Sequence, residues 1–492
     1  MRSEVALRSC RAVAVLAAVL MGAGQAYAEK TTGGINWLDP LAYQKPAFVS
    51  IDVPDEASAP KYYVDLASGS GTSCTQSAPC ALASVAGKSG TNGGGAYVYM
   101  RGTGRFYLFQ PQSSFYGAPG KEIVIKPWPA GTTGCPSGCS ATIKSSSVNT
   151  VEGSNLHHWI FDGGPSMGII IETGSAGDNN AMRVNSSNIT LYRIQGRCDA
   201  ASQNGNRVLA VSSGKATGFK VINSEFYGCE GGDKNSQQSA LYLGSSSCFD
   251  GNAGYDNFLW QNNLMRGMGG EGIEINPRSA SSNAVITGSV FRDVGKQVCG
   301  GNWGCGPAIT IDDCGGSASN IKVTNNLMWD LGASCMWSKG AGSNREFYNN
   351  TCYDYGKGAG SSTCQEGVCG DTVAVVRNNI FYSPSGRDPL GDAAHNATNN
   401  ICASSEACGT AKQTWSAATF QSMTESDSKF LKLGTSSEAI GTGVNLFSIG
   451  VSTDYSGVSR SVSGVFDIGA FSTGGGTMTS PPSAPSNVRI VK

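Results

Sequence analysis

The stretch Trp260-Gln-Asn-Asn263-Leu-Met265 returns as Val323-Thr-Asn-Asn326-Leu-Met328, Phe347-Tyr-Asn-Asn350-Thr-Cys352, Val376-Arg-Asn-Asn379-Ile-Phe381 and Thr398-Asn-Asn400-Ile-Cys402. Weaker copies stand at Val221-Ile-Asn-Ser224-Glu-Phe226 and Ile286-Thr-Gly-Ser289-Val-Phe291. From Asn262 the copies fall at Gly288, Asn325, Asn349, Asn378 and Asn399, at intervals of 26, 37, 24, 29 and 21 residues. A period near two dozen residues is one coil of a solenoid, and the longer intervals carry loop insertions on one flank. Asn tolerates the left-handed backbone of a sharp turn, and stacked coils bring each Asn over the last, where side chains can bond along the stack.

Before most copies runs a second apolar segment: Ile169-Ile-Ile171, Val208 to Val211, Leu241-Tyr-Leu243, Ile273-Glu-Ile275, Ala308 to Ile311 and Cys335-Met-Trp337. The unit is strand, loop, strand, Asn turn. An antiparallel sandwich would place Asn-Gly or Asp-Gly between paired strands instead of an Asn-Asn at one fixed point of a long repeat. The prediction is an all-β chain folded as a right-handed parallel β-helix. It covers residues 61–471, with a short N-terminal capping helix within Pro79 to Ala86 to cover exposed core. Residues 29–60, with Pro40, Pro46, Pro54 and Pro60, read as an extended leader. Residues 472–492 read as a flexible Gly/Ser/Pro-rich tail, and Val465-Phe-Asp-Ile-Gly-Ala-Phe471 as the last coil-like piece.

The first residues carry Arg2, Arg8 and Arg11, an apolar run Ala12 to Leu20, then Ala26-Tyr-Ala28. That order is a secretory signal peptide over residues 1–28, implying secretion to an extracellular or periplasmic space. Of 17 Cys, all but Cys10 lie beyond it, and 16 is an even number suited to an oxidising compartment. Short-range disulfides are expected for Cys74 and Cys80, Cys135 and Cys139, Cys299 and Cys305, Cys364 and Cys369, and Cys402 and Cys408, since zinc-site partner spacings are missing. Removing the signal leaves 32 basic against 35 acidic residues, a charge of −3. No basic field recommends nucleic acid, and no later run is long and apolar enough to span a membrane. A monomer is expected.

Tyr62-Tyr-Val-Asp65, Ser77-Ala-Pro-Cys80, Tyr97-Val-Tyr-Met-Arg-Gly102 and the closing Asp467-Ile-Gly-Ala-Phe471, around the Asn-Asn copies, resemble the secreted bacterial right-handed parallel β-helix superfamily. The resemblance spans about residues 61 to 471 and is specific for fold. Its members include pectate, alginate and dermatan-type lyases, polygalacturonases, epimerases, phage tailspikes and adhesins, so it implies a polysaccharide substrate or ligand. Of the polygalacturonase elements only Ile311-Asp-Asp-Cys314 is approached, without its preceding glycine or a Gly-His-Gly.

Strand alternation assigns the outward residues. With Ile273, Ile275, Ile309 and Ile311 inward, one outward column reads Tyr242, Glu274, Thr310 and Met336, and its neighbour Gly244, Asn276, Asp312 and Ser338. Glu274 and Asp312, one coil and two positions apart, stand roughly 8 Å from each other. Arg278, Asp313 and Lys339 follow the same strands, Glu271 precedes them, and Trp303 sits in the Cys299 to Cys305 loop. The first expectation is a polysaccharide lyase. Arg278 or Lys339 would be the base, Glu274 and Asp312 would be catalytic, and Tyr242, Glu271 and Trp303 would bind substrate. A Ca²⁺ would sit on Glu274, Asp312 and Asp313. The second is an inverting glycoside hydrolase using Glu274 and Asp312; the third is a non-catalytic adhesive surface. Trp260, Trp329 and Trp337 are expected to pack.

Overall fold

The computed structural model describes residues 48–474 apart from 109–114, 145–148, 153–156, 174–179, 199–206, 212–213, 230–238, 245–252, 296–305, 313–314, 359–363, 392–394 and 404. The expected signal peptide, the first part of the leader and most of the tail lie outside this set. The chain is a right-handed parallel β-helix. One coil is Ser281–Thr287, Val290–Val294 and Ile309–Ile311. The next, Ala318–Thr324, Leu327–Leu331 and Met336–Ser338, pairs with it in parallel on all three faces. A 24-stranded sheet forms two of the faces, and a separate nine-stranded sheet forms the third.

Register turns the apolar repeats into columns. Ile273, Ile309, Met336 and Val368 stack on one face, Trp260, Ile286, Val323, Phe347 and Val376 on a second, and Met265, Phe291, Met328, Cys352 and Phe381 on the third. All are fully buried. Each large side chain taken from water contributes about 1.5–3 kcal/mol, and the stack repeats that gain coil after coil.

The two residues of each Asn pair divide the corner between them. The first takes the left-handed backbone, at φ 55° in Asn262 and Asn325, 51° in Asn349, 56° in Asn378 and 53° in Asn399. At Gly288 the same conformation is held by glycine, where a Cβ would lie 2.2 Å from Asn262 Oδ1. The second Asn is buried and carries the ladder. Asn350 accepts from the Asn326 backbone N–H (3.0 Å) and side-chain amide (3.0 Å), donates to Val323 O (2.9 Å), and donates onward to Asn379 Oδ1 (3.1 Å). Asn379 relates in the same way to Asn400.

A second left-handed corner divides the strands of another face. Asn257, Asn283, Asn320 and Asn344 have φ between 53° and 62°. Their exposed amides bond in series, Asn283 to Asn257, Asn320 to Asn283 and Asn344 to Asn320.

The ends differ from expectation. The capping helix is a single 3₁₀ turn, Leu82–Val85, with no side-chain cap, and no α-helix occurs among the described residues. Leu82 and Val85 still point into the core. Val465 to Phe471 is not a coil strand. It belongs to a strap that doubles back along the Asn corner: Asn399, Asn378 and Asn349 donate in turn to Thr442 O, Val444 O, and Asp467 O and Gly469 O.

Six disulfides join described cysteines. Cys74–Cys80, Cys135–Cys139, Cys364–Cys369 and Cys402–Cys408 are the expected short-range pairs. Cys198–Cys229 and Cys335–Cys352 link longer separations. Cys299 and Cys305 lie outside the described residues. No described helix is long and apolar enough to cross a membrane.

The buried Asn ladder makes a testable claim on stability. Asn350→Ala strands the Asn326 N–H and the Val323 carbonyl in the core, so chemical denaturation should show a loss of about 3 kcal/mol. Asn320→Gly, at the exposed corner, should stay within about 0.5 kcal/mol of wild type. Equal losses would mean that the ladder is not the stronger constraint.

Candidate functional site

The nine-stranded sheet presents one outward column whose register is Arg183, Ala210, Tyr242, Glu274, Thr310 and Trp337. Trp337, not Met336, continues it, because Ile309 pairs with Met336 and so turns Met336 fully inward. The same one-residue shift buries Ser338 and leaves Lys339 beside Asp312. The Lys339 N–H bonds Ile311 O, and Lys339 Nζ lies 3.1 Å from an Asp312 carboxylate oxygen. Trp337 is therefore partly exposed, with the Lys339 ammonium 5.2 Å from its ring centroid, whereas Trp260 and Trp329 are packed.

At the centre of the column, polar groups are buried together. Glu274 is 4% exposed and Tyr242 1%. The Glu271 and Glu274 carboxyls face each other closely enough to influence one another's ionisation, and Thr310 donates to Glu271 Oε1 at 3.2 Å. Asn276 Nδ2 reaches both the Tyr242 hydroxyl and Glu274 Oε1 at 3.5 Å. The Arg207 guanidinium lies 3.7 Å from the Tyr242 ring centroid and 3.9 Å from Glu274 Oε2. Glu271 Oε2, Glu274 Oε2 and Asn276 Oδ1 are nonetheless buried without a hydrogen-bond partner. Buried polar atoms are nearly always satisfied, so three orphans in one cluster mark a place built for something else.

Burial raises the pKa of Glu271 and raises that of Glu274 well above the glutamate range, with the neighbouring Glu271 charge adding to the effect on Glu274. Two carboxyls in one dry site cannot both ionise, so the pair keeps a proton near neutrality. Burial first, and then the Glu274 charge, holds the Tyr242 hydroxyl protonated as well. The cluster is a carboxyl pair holding a proton and a neutral tyrosine, beside a cation.

Of the residues singled out in sequence, Tyr242, Glu271 and Glu274 meet directly, and Asp312 and Lys339 form the adjoining pair. Arg278 sits past the strand exit, its backbone bonded to Ala253 O and its guanidinium close to Gly315. Trp303 and Asp313 lie outside the described residues. Arg207 and the outward role of Trp337 escaped the sequence reading, which placed Asn276 in the neighbouring outward column without giving it a role. An arginine opening the apolar run Arg207-Val-Leu-Ala-Val211 was the available signal for the first.

Calcium takes six to eight oxygens. Of the three residues expected to hold it, Glu274 faces Arg207, Asp312 faces Lys339, and Asp313 lies outside the described residues. Cys364, Glu366 and Cys369 also lie close together, but their two sulfurs are joined as a disulfide.

No family model matches the chain, and no curated protein matches it. Among solved structures it is similar to pectate lyase Pel9A, at 16% identity and a TM-score of 0.47, over 88% of this chain and 99% of that one. It is also similar to an alginate lyase from Paenibacillus sp. str. FPU-7, at 14% identity and TM-score 0.45, over 69% and 99%. A third is a rhamnogalacturonan lyase, at 13% and 0.43, over 77% and 97%. The similarity is one of fold.

The shared proton has a consequence for stability. In the unfolded chain each glutamate titrates at its ordinary 4.5, while the native pair holds its proton to higher pH. Native stability therefore falls as pH rises from about 4.5 through the raised native value. Glu274→Gln removes this loss. Thermal melts should show the variant more stable than wild type at pH 8, with the advantage gone near pH 4; no advantage at pH 8 would contradict the buried protonated pair.

Proposed function

We propose that the protein is a secreted, carbohydrate-active enzyme that cleaves a uronate-containing polysaccharide by β-elimination on the face centred on Glu274. The observation that carries the reading is the buried Glu271–Glu274 pair, with unpartnered oxygens, beside an arginine stacked on a tyrosine. Elimination needs the uronate carboxylate neutralised so that the proton on the adjacent carbon becomes removable. A protonated carboxyl pair and the Arg207 guanidinium supply that neutralisation. Lys339, once its own proton has passed to the Asp312 carboxylate 3.1 Å away, is the base that takes the carbon-bound proton. The electron pair then forms the carbon–carbon double bond as the glycosidic C–O bond breaks, and the Tyr242 hydroxyl donates a proton to the leaving oxygen. Trp337 offers an aromatic surface for a sugar ring.

The cations gathered on this face support an acidic substrate, because the exported chain as a whole is close to neutral. Since Glu274 and Asp312 are each held by a cation, the chemistry assigned to them here runs without calcium. Secretion is supported by the disulfides and by the segment preceding Glu29.

A hydrolase remains the second reading on one specific ground: a carboxyl held protonated by burial is also what a general acid needs, and Asp312 stands one coil on to serve as base.

The test is the purified mature protein on uronate polysaccharides, read by ultraviolet absorbance of the unsaturated product and by reducing ends, with and without chelator. Unsaturated product that survives chelation is expected. Reducing ends without absorbance would select the hydrolase, and neither product a binding surface. Tyr242→Phe and Glu274→Ala should each lose about 100-fold in kcat/KM. Glu274→Gln separates the mechanisms, because an amide can still donate a hydrogen bond but cannot give up a proton. It should retain more activity than Glu274→Ala in a lyase and no more in a hydrolase.

A further inference from the structure

Two apolar columns of the core are broken in the same place. Arg345 opens the strand Arg345–Tyr348, and the residues in register with it, Ile321 before and Ala374 after, with Ala284 and Phe258 further back, are apolar and buried. Ser338 ends the strand Met336–Ser338, and its register partners Ile311 and Ile275 are apolar and buried as well. The two polar intruders meet. Arg345 Nη1 donates to Ser338 Oγ at 3.1 Å and to the backbone oxygen of Lys339 at 2.6 Å. Arg345 is 1% exposed, and a guanidinium taken so far out of water is costly. Packing alone does not ask for it, since apolar side chains fill the equivalent place in the adjoining coils.

The turn between the two strands closes around that guanidinium: a Cβ on Gly342 would lie 2.9 Å from Arg345 Nη2. The next coil holds the same turn from its other side. Ser338 Oγ donates to Thr372 O and the Thr372 N–H to Ser338 O, both at 3.1 Å, the Thr372 hydroxyl donates to Gly340 O, and the Gly340 N–H to Asp371 Oδ1 at 3.3 Å. Lys339 is thus clamped at its N–H by Ile311 O, at its carbonyl by Arg345, and at both chain neighbours, while its ammonium lies 3.1 Å from Asp312. We infer that Arg345 is a positioning residue, which reaches through the core to hold the base Lys339 against Asp312. It touches no reacting atom. This rests on the reading of Lys339 as the base and adds to it how a long, flexible side chain at a strand exit is kept in one place.

The experiment compares the full-length mature wild type with Arg345→Met, which keeps an unbranched side chain in the core but removes the charge and the donors, and with Arg345→Lys. Exchanging a buried charge for an apolar side chain is often neutral or stabilising, so thermal melts of Arg345→Met should match or exceed wild type. On the uronate polysaccharide that wild type cleaves, its kcat should fall roughly 10- to 100-fold, the cost of a small displacement of the base, with KM unchanged. Arg345→Lys should recover part of that loss. An unchanged kcat, or a loss confined to KM, would overturn the positioning role. A second readout needs no cleavage: acetylation of Lys339 by acetic anhydride, followed by peptide mass spectrometry. Lys215 and Lys357, which pair with Asp256 and with Asp330 and Asp354, serve as references. Lys339 should react several times faster in Arg345→Met, and the references at their wild-type rate. If wild type cleaves no polymer, the elimination falls while faster acetylation still supports the clamp; unchanged acetylation overturns the clamp on its own. Should Arg345→Met fail to fold, Arg345→Lys carries both measurements, with intermediate effects expected and wild-type values in both overturning the clamp.

Discussion

The structure depends on the hydrogen bond that passes from one buried asparagine to the next at the coil corner. A parallel coil stack supplies backbone partners along its strands but not at its corners, where the chain turns and amides point inward. Asn350 meets that need on both sides, accepting from Asn326 and donating to Asn379 and Val323. Because the side-chain period of a strand is two, a slip of one residue at the corner would turn every following side chain to the opposite face. The ladder thus fixes more than a turn. It fixes that Glu274 looks outward while Ile273 and Ile275 look in.

That outward placement is held at a cost in stability, and the location of the cost is informative. Two other buried cations are bound by their surroundings: Arg345 donates to Ser338 and to Lys339 O, although its Nε has no partner, and Arg460, whose pKa burial lowers to about 10, donates to the carbonyls of Asp467, Gly469 and Ala470. In the Glu274 cluster, three oxygens stay unsatisfied and two carboxyls compete for one proton. A fold able to satisfy Arg460 could have satisfied these as well. Their condition is the kind of local inconsistency that a binding or reacting site introduces.

Much of this was legible in the sequence, and the misses have physical causes. The Asn-Asn copies gave the coil, its corner and the outward direction of Tyr242, Glu274 and Asp312. The register failed by one residue at Met336, because Cys335-Met-Trp337 is apolar throughout and alternation carries no information there. The loops between strands hid the meeting of Glu271 with Glu274, which lie three apart in sequence and cannot share a face of one straight strand. Arg207 was missed for a similar reason: it opens its strand, and only the fold brings it over Tyr242. The second corner was readable. Asn257, Asn283, Asn320 and Asn344 recur at 26, 37 and 24 residues, the spacing of the Asn262 series over the same coils. It passed unnoticed because the flanking residues, unlike Asn-Asn, do not repeat.

The outer asparagines explain how the solenoid closes its flank. Turning left-handed at the corner leaves each of their amides pointing away from the core, where it would bond water. Instead, Asn223 donates to Val49 O of the leader, and Asn325, Asn349, Asn378 and Asn399 donate to carbonyls of the C-terminal strap. The strap buries apolar surface of its own, with Phe430 against Trp329 and Phe466 in a cluster with Tyr348. A residue chosen for backbone conformation thus offers one donor per coil at a fixed spacing, to which any extended segment with free carbonyls can bind. The leader and the strap both use it, and both lie on the Asn corner and away from the face that carries Glu274. The packing of the ends and the chemistry of the Glu274 face are thereby kept on different sides of the same coil.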